Sequence, residues 1–541
     1  MKYPLRFIAA LVIAAALLIP LAACGGDTGE DKLISYAVDV APVRLDPAVA
    51  ESPSELLAVN NAFEGLVRQT TDEETGSALI VPGVAESWEI SADGRVYTFR
   101  LRRNSHWRPH KNAGDVLGGK EAADAFDTYV TADDFVFGLR RALDPDTRAP
   151  GAAVLYPIEN AREIHAGALP PERLGVKAVN ALTLEITLTR PNVLFLYALT
   201  QSVAMPCNQQ YFEAAKGRYG LESSYILCNG PFYVYRMGAV TRLNRNESYA
   251  GEWRVSPKTA DLRAIADPAE RLRRLGAENG IDAAILTEDL VPGDMLESAI
   301  PLQNGTVSML FNCASPVLKN VNLRAAMCAA LEPEALGLTM PLPGLLPESV
   351  WVGGSRLGDL APPQPGVAHE PARARALVLK MEEAEATLRL ICSPAHERIL
   401  RRALQQWQSL FGLRLHADVE PLEPEALEER IARGEYDIAI ARLQASSSFA
   451  LQAMQEFAAA GNSMRYTSDT LDELLRGAAQ MADPAEAARA IRQAEAHMLQ
   501  NGAVYPLMPA ASRLLLAPGV EGLGVSPVGD QIFFGRARRV E

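Results

Sequence analysis

The sequence predicts an α/β protein of two or three lobes, and three observations carry that expectation. Residues 33 to about 237 mix strand and helix signals without regular alternation, residues 387–441 alternate strand, helix, strand, helix, strand, and 541 residues exceed what one compact core accommodates.

In the first half, Trp88 to Leu101 reads as two strands joined through the Asp93-Gly94 turn. Thr131 is placed to cap a helix with Asp133 and Asp134 in its first turn, where acids suit the dipole, and with Phe135, Leu139 and Ala142 on one face; Asp144-Pro145 ends it. Leu182 to Leu188 alternates as a half-buried strand. In the second half, Thr387–Ile391 is a strand, Ser393 and Pro394 supply a helix N-cap and first position, and Leu400, Leu404, Trp407 and Phe411 form one helical face before Gly412. A strand from Leu413 to Val419 follows, then a helix from Pro424 to Gly434, then the strand Tyr436–Ala441. This β-α-β-α-β run predicts a parallel sheet with right-handed crossovers. Asp483-Pro484-Ala485-Glu486 resembles a capping box ahead of the apolar face Ile491, Ala494 and Met498, and the chain returns to a strand at Tyr505–Met508.

Ahead of this region, Lys2 and Arg6 precede a run from Phe7 to Pro20 made almost wholly of Ala, Leu, Ile and Val, the shape of a secretory signal. About 14 residues at 1.5 Å rise cover roughly 21 Å, short of the roughly 30 Å hydrocarbon core, so a permanent span is not expected. The run ends in Leu21-Ala22-Ala23-Cys24-Gly25, which resembles a bacterial lipobox and implies cleavage before Cys24, lipidation of its thiol and acylation of the new N-terminus. An ordinary signal peptide is the other reading; both place the body outside the cytoplasm. Gly25 to Lys32 reads as a flexible tether, so folding is expected to begin near Leu33.

A net charge of -14 argues against nucleic acid or anionic lipid as the main partner, since both require clustered Lys and Arg. With Cys24 used for lipid, Cys207, Cys228, Cys313, Cys328 and Cys392 remain, an odd number in a compartment that permits disulfides. Cys207 and Cys228 sit in loop-like contexts and are expected to pair, adding roughly 3 kcal/mol in the chain-entropy account. The other three are expected to be small buried hydrophobes.

The chain carries no Gly-x-Ser-x-Gly elbow, no phosphate-binding Gly-x-x-x-x-Gly-Lys, no His-Glu-x-x-His and no dinucleotide fingerprint, so neither catalysis nor a cofactor is expected. His106 and His110 have i, i+4 spacing, but Arg108-Pro109 and Lys111-Asn112 make the segment a loop, and no metal site is expected there. Arg442, Gln444 and Ser446-Ser447-Ser448 follow a strand end, and Asn312 ends another apolar run. Open α/β sheets bind ligands at the carboxyl ends of their strands, which makes Asn312, Arg442, Gln444 and Ser446 candidate ligand residues; a solvated loop is the alternative for the serines.

Four blocks in order are more specific: Leu45-Asp46-Pro47, Asn61-Ala62-Phe63-Glu64-Gly65-Leu66-Val67, Val81-Pro82-Gly83-Val84-Ala85-Glu86-Ser87-Trp88 and Thr131-Ala132-Asp133-Asp134-Phe135. Together they resemble the peptide-type extracellular solute-binding proteins of ABC importers, the oligopeptide, dipeptide and nickel-binding family. Asn229-Gly230-Pro231-Phe232, Asn322-Leu323-Arg324-Ala325-Ala326, Gly434-Glu435-Tyr436-Asp437 and Tyr505-Pro506-Leu507 agree, so the likeness covers most of the chain. It implies a two-lobed periplasmic-binding-protein-like fold (type II, cluster C), with an extra subdomain in lobe one. Lobe one is then expected over 33–255 plus 505–541 and lobe two over 256–504, with hinge closure on a ligand.

The same resemblance adds Asn229 to the candidate ligand residues and implies a monomer that delivers a peptide or peptide-like solute to a permease and ATPase complex, tethered to the cell membrane by Cys24. Two departures stand out. The family often carries an Asp-containing loop that pairs with a peptide's α-ammonium, whereas Ala441-Arg442-Leu443-Gln444-Ala445-Ser446 has no acid; Arg442, if it faces the cleft, favours a carboxylate instead. Residues His110 to Thr128 form an insertion ahead of the Thr-Ala-Asp-Asp helix. A lipid-anchored hydrolase on the same scaffold and a peptide-sensing receptor without transport are the competing readings.

Overall fold

The computed structural model describes residues 33–71, 78–192, 194–253, 255–338, 342–363, 368–378, 386–412, 415–444, 447–459, 461–481, 483–526 and 531–540. Cys24, the signal segment, the tether and Ser446 lie outside the described residues. The two lobes are built along one ten-stranded sheet, supplemented by a four-stranded sheet in the subdomain. The early strands are β1 (Leu33–Val38), β2 (Val67–Thr71), β3 (Ala78–Pro82), β4 (Ala85–Ile90), β5 (Val96–Leu101), β6 (Val176–Asn180) and β7 (Thr183–Thr187). They are followed by β8 (Phe232–Arg236), β9 (Val240–Arg245), β10 (Thr259–Ala264), β11 (Ala283–Thr287) and β12 (Ile300–Phe311). The later ones are β13 (Trp351–Val352), β14 (Ser355–Arg356), β15 (Ala386–Cys392), β16 (Leu415–Pro421), β17 (Ile438–Gln444) and β18 (Val504–Leu516).

The long sheet runs β16-β15-β17-β12-β18-β11-β1-β10-β9-β8. Its first-lobe half is centred on β1, which pairs in parallel with β10 and meets β11 at Tyr36–Ala283. Ile34 to Val38 are buried in succession, as expected of a strand covered on both faces. The division expected after residue 255 is therefore corrected: Ala260, Leu262 and Ala283 pack in the first lobe's core, and the chain passes into the second lobe only along β12. There β15 pairs in parallel with both β16 and β17, as the β-α-β-α-β pattern predicts. Pro394–His396 forms a short 3-10 turn that runs into the helix Glu397–Phe411, whose Leu400 and Trp407 are fully buried. Gly434 ends the next helix with φ 70°, a left-handed conformation that favours glycine.

Two strands belong to both lobes. On β18, Val504–Pro509 pairs with the second-lobe part of β12, while Ser512–Leu516 pairs with β11 of the first lobe. The β12–β18 register shifts between Gln303 and Thr306, which places a bulge where the lobes meet. Gly305 lies in this stretch; a Cβ there would stand 2.2 Å from the Leu443 carbonyl oxygen, so β12 and β17 approach too closely for any side chain.

In the subdomain, β4-β5-β7-β6 is covered by the helix Ala132–Leu143, with Phe135, Leu139 and Ala142 wholly buried. Its cap is the expected Thr131, reciprocated by Asp134, whose Oδ2 accepts from the Thr131 backbone N–H at 2.8 Å. The insertion at 110–128 folds as two short helices, Ala113–Leu117 and Lys120–Asp124, anchored by buried Val116 and Phe126.

The expected Cys207–Cys228 bond is not formed, and both thiols are buried and free. Each is fixed among other partners. Cys207 Sγ lies 3.8 Å from Arg141 Nη1, and the Cys228 carbonyl accepts from the Arg108 N–H at 2.6 Å. The Tyr211 hydroxyl instead closes this segment by donating to the Ser224 carbonyl at 2.6 Å. Burial pushes both thiols up to about 12, so they remain protonated. Thiol titration of the denatured chain is expected to give the same count before and after reductant; a gain of two thiols on reduction would restore the disulfide.

Candidate functional site

Strand β17 points its alternate residues to two faces. Ile438 and Ile440 pack with Leu400 and Trp407, whereas Ala439 and Leu443 pack with the helices Ala450–Ala458 and Pro484–Gln500. By this alternation Arg442 falls on the same face as the turn Pro394–His396. Its Nη2 donates to Ser512 Oγ at 3.2 Å and to the Ala511 carbonyl at 3.4 Å, both on β18. Its Nε is buried without an acceptor among the described residues. A second-lobe cation therefore reaches a strand shared with the first lobe, with Asp289 as the nearby opposing charge.

His396 stands in the field of both Asp289 and Arg442. Burial holds its imidazole below the ordinary value of 6.5; Asp289 opposes this and Arg442 reinforces it. His396 Nδ1 also lies 2.9 Å from Ser393 Oγ, so a serine and a histidine do meet at the end of β15. The contact spans a single turn and engages Nδ1, the nitrogen that a catalytic carboxylate would orient, so it closes the turn rather than forming a hydrolytic pair. Ser468 Oγ and His497 Nε2, 2.9 Å apart, likewise involve a helix cap: Ser468 accepts from the Leu471 N–H.

The other expected ligand residues have different work. Asn229 is buried and turned onto the main chain of Glu64, accepting from its N–H at 3.0 Å and donating to its carbonyl at 2.8 Å. Asn312 is buried and donates to the carbonyls of Gly434 at 3.1 Å and Tyr436 at 2.8 Å, while accepting from the Ala314 N–H at 3.1 Å. Both amides are engaged by backbone and act as staples between segments. Gln444 is exposed at the end of β17. His106 and His110 are separately engaged, by Thr128 Oγ1 at 3.1 Å and the Tyr235 carbonyl at 3.2 Å.

A concavity lies on the other face of the second lobe's sheet, where the subdomain meets it. A cavity of about 650 Å³ opens between the short helices of the subdomain and the helices Ala450–Ala458 and Asp469–Ala478. That volume is in the range of a small-molecule site, roughly 300–1,000 Å³. Four aromatic side chains line it among polar and aliphatic ones: Tyr156 and Tyr197 from the subdomain, Trp351 and Phe449 from the second lobe. Tyr197 and Phe449 meet edge to face with centroids 5.0 Å apart, and Arg190 Nη1 donates to Gln480 Oε1 at 2.8 Å. Both contacts cross from one lobe to the other. Trp351 is held by its backbone N–H, which donates to the Ser448 carbonyl at 2.8 Å, while its indole N–H is buried with no acceptor among the described residues. Sequence reasoning missed this chamber because its walls come from segments far apart in the chain, with no spacing that links them.

Two measurements check these assignments. Asn229→Ala and Asn312→Ala are each expected to lower stability by about 1–3 kcal/mol in chemical denaturation, the cost of orphaning buried backbone partners; loss of solute binding with stability intact would overturn the staple roles. The His396 ring proton is expected to titrate with a midpoint below 6.5 by NMR. Since the depressed value favours the neutral form in the fold, its contribution to stability is full above 6.5 and lost as pH falls through the folded value; His396→Gln removes that slope.

Comparison with known proteins agrees with this architecture. The sequence profile of the family described as bacterial extracellular solute-binding proteins, family 5 Middle, matches residues 80–465. A dipeptide-binding protein of Lactococcus lactis subsp. cremoris (strain MG1363) is 26% identical over 557 aligned residues, covering 96% of each chain. The crystal structure of Haemophilus influenzae OppA complexed with RPPGFSPFR superposes with a TM-score of 0.71 at 22% identity, covering 95% of this chain and 99% of that one. The substrate-binding domain of an oligopeptide ABC transporter from Bacillus anthracis str. Ames gives 0.71 at 22% identity over 94% of this chain and 99% of that one. With two lobes on a shared sheet, an aromatic chamber between them and a profile match across most of its length, the chain belongs to family 5 of the bacterial extracellular solute-binding proteins.

Proposed function

We propose that this chain is the solute-capturing component of an ABC importer, and that its cargo is an oligopeptide or peptide-like solute enclosed between the lobes. The observation that carries this reading is the 650 Å³ chamber walled from both lobes, which are joined by the shared strands β12 and β18. A ligand that touches both walls favours the closed arrangement by its differential affinity for it. The Lactococcus lactis relative is named a dipeptide-binding protein, and the Haemophilus influenzae structure holds a nonapeptide, which supports a peptide class of cargo. The missing acid in the sequence Ala441 to Ser446 argues for a mode of capture that does not pair a carboxylate with the peptide's α-ammonium there.

The chain acts as a monomer on the outer side of the membrane, anchored through Cys24 and presenting the loaded lobes to a permease and ATPase complex. Among the described residues no helix is long and apolar enough to cross a membrane. Attachment therefore falls to the N-terminal segment in this reading.

Mass spectrometry of solutes released from the purified protein is expected to yield peptides, and calorimetry with tri- to octapeptides to give saturable binding. At a concentration 100 times the dissociation constant such a ligand stabilises the fold by about 2.7 kcal/mol, readable as a rise in Tm. A panel in which sugars or cations bind and no peptide does would overturn the cargo. Cys24→Ser is expected to move the chain from the membrane fraction to the soluble fraction of the producing cells, and an unchanged distribution would overturn the anchor.

A further inference from the structure

The chamber's walls are more selective than capture of a peptide main chain requires. Trp351 is 1% exposed, so its indole N–H is a desolvated donor that has given up water and found no acceptor among the described residues. An unmet buried donor of this kind costs stability in the empty protein, a cost that an acceptor brought by a ligand removes. Around it the surface is ring-lined. Tyr197 and Phe449 form an edge-to-face pair with Trp351 in the same apolar cluster, and burial pushes the Tyr197 phenol up to about 12, so it presents a neutral ring. Gln452, whose Oε1 accepts from Ser447 Oγ at 2.7 Å, adds a polar side chain to the wall.

The rim differs from the floor. Arg162, Arg190 and Arg476 border the opening with Glu163 and Asp472, and all five are exposed. Among the described residues none of the three arginines is ion-paired: Arg162 lies over the Tyr156 ring at 4.6 Å, and Arg190 donates to Gln480. The rim therefore carries a small positive excess above an apolar floor that holds an unmet donor.

We propose that this chamber is a selectivity compartment for an apolar ring-bearing or branched group that carries a hydrogen-bond acceptor, preferably an anionic one, with the acceptor met by Trp351 Nε1. It rests on the reading of the chain as a solute-capturing protein and narrows it: the preferred cargo is an amphipathic solute, such as a peptide with a large apolar side chain, rather than a small polar peptide. The chamber and Arg442 lie toward opposite faces of the second lobe's sheet, seven residues apart on one segment from Arg442 to Phe449. Even fully extended that segment spans at most about 25 Å. The compartment is thus separate from the Arg442 end of the cleft and within reach of one elongated ligand.

The test uses the full chain and 1-anilinonaphthalene-8-sulfonate, a probe with fused rings and a sulfonate acceptor, alongside tri-alanine as a small polar peptide. The wild-type chain is expected to bind one equivalent of the dye. Ala459→Trp, a substitution at an exposed wall position that narrows the chamber without touching the core, is expected to weaken the dye at least tenfold while the melting temperature of the unliganded chain stays that of the wild type. Trp351→Phe, which keeps a ring and deletes the N–H, is expected to weaken the dye at least threefold. Absence of dye binding, or equal binding by wild type and Ala459→Trp, overturns the compartment. Unchanged binding by Trp351→Phe overturns the role of its N–H. If the dye binds as described while neither tri-alanine nor longer peptides do, the compartment stands and the peptide cargo falls.

Discussion

The lobes are held to one another by the antiparallel pairing of β12 with β18, and everything that faces the cleft inherits its position from that pair. A backbone ladder resists sliding, because translation by one residue breaks its hydrogen bonds and turns every side chain to the opposite face. It tolerates bending where the register slips, and it slips between Gln303 and Thr306. The relative motion this permits is rotation about a fixed line, so the first-lobe and second-lobe walls meet in the same alignment each time they close. The close approach of Gly305 to Leu443 keeps β17 tied to that line, and with it Arg442, whose guanidinium reaches β18.

Much of this fold was legible because local chemistry and global position agree in it. Thr131 with Asp134, Asp483 with Pro484, and Gly434 each do in the structure what their residue types favour in isolation. The parallel second lobe could be read from its alternating strands and helices. Less legible were β10 and β11, since nothing in Thr259–Ala264 or Ala283–Thr287 says which side of a hinge a short strand will join; the partner strand β1 lies more than 200 residues upstream.

The site was harder to read than the fold, for a reason visible in Asn229 and Asn312. An asparagine at the end of an apolar run has the same appearance whether its amide meets a ligand or a neighbouring main chain, and here both meet the main chain. The thiols carry the same ambiguity: loop context made Cys207 and Cys228 plausible partners, while packing assigned one to Arg141 and the other to a bridge with Arg108. Arg442 was read as lying just past a strand that ends at Ala441, whereas it sits within β17, opposite Val307, and its contacts with Ser512 and Ala511 make it a brace across the shared strands. Trp351 and Phe449 gave no signal at all, because an isolated aromatic in a loop-rich stretch is more often core than wall.

The contacts that cross the chamber, Tyr197 with Phe449 and Arg190 with Gln480, also bear on how tightly any solute is held. They favour the shut arrangement before a solute arrives, so the observed affinity is the intrinsic one scaled by the fraction of molecules already shut. Strengthening those contacts raises that fraction toward one and then yields nothing more for capture, while it slows release to the membrane partner. Weakening them trades grip for turnover. A delivery protein therefore gains from an edge-to-face ring pair and one exposed hydrogen bond where a storage protein would gain from a sealed apolar seam.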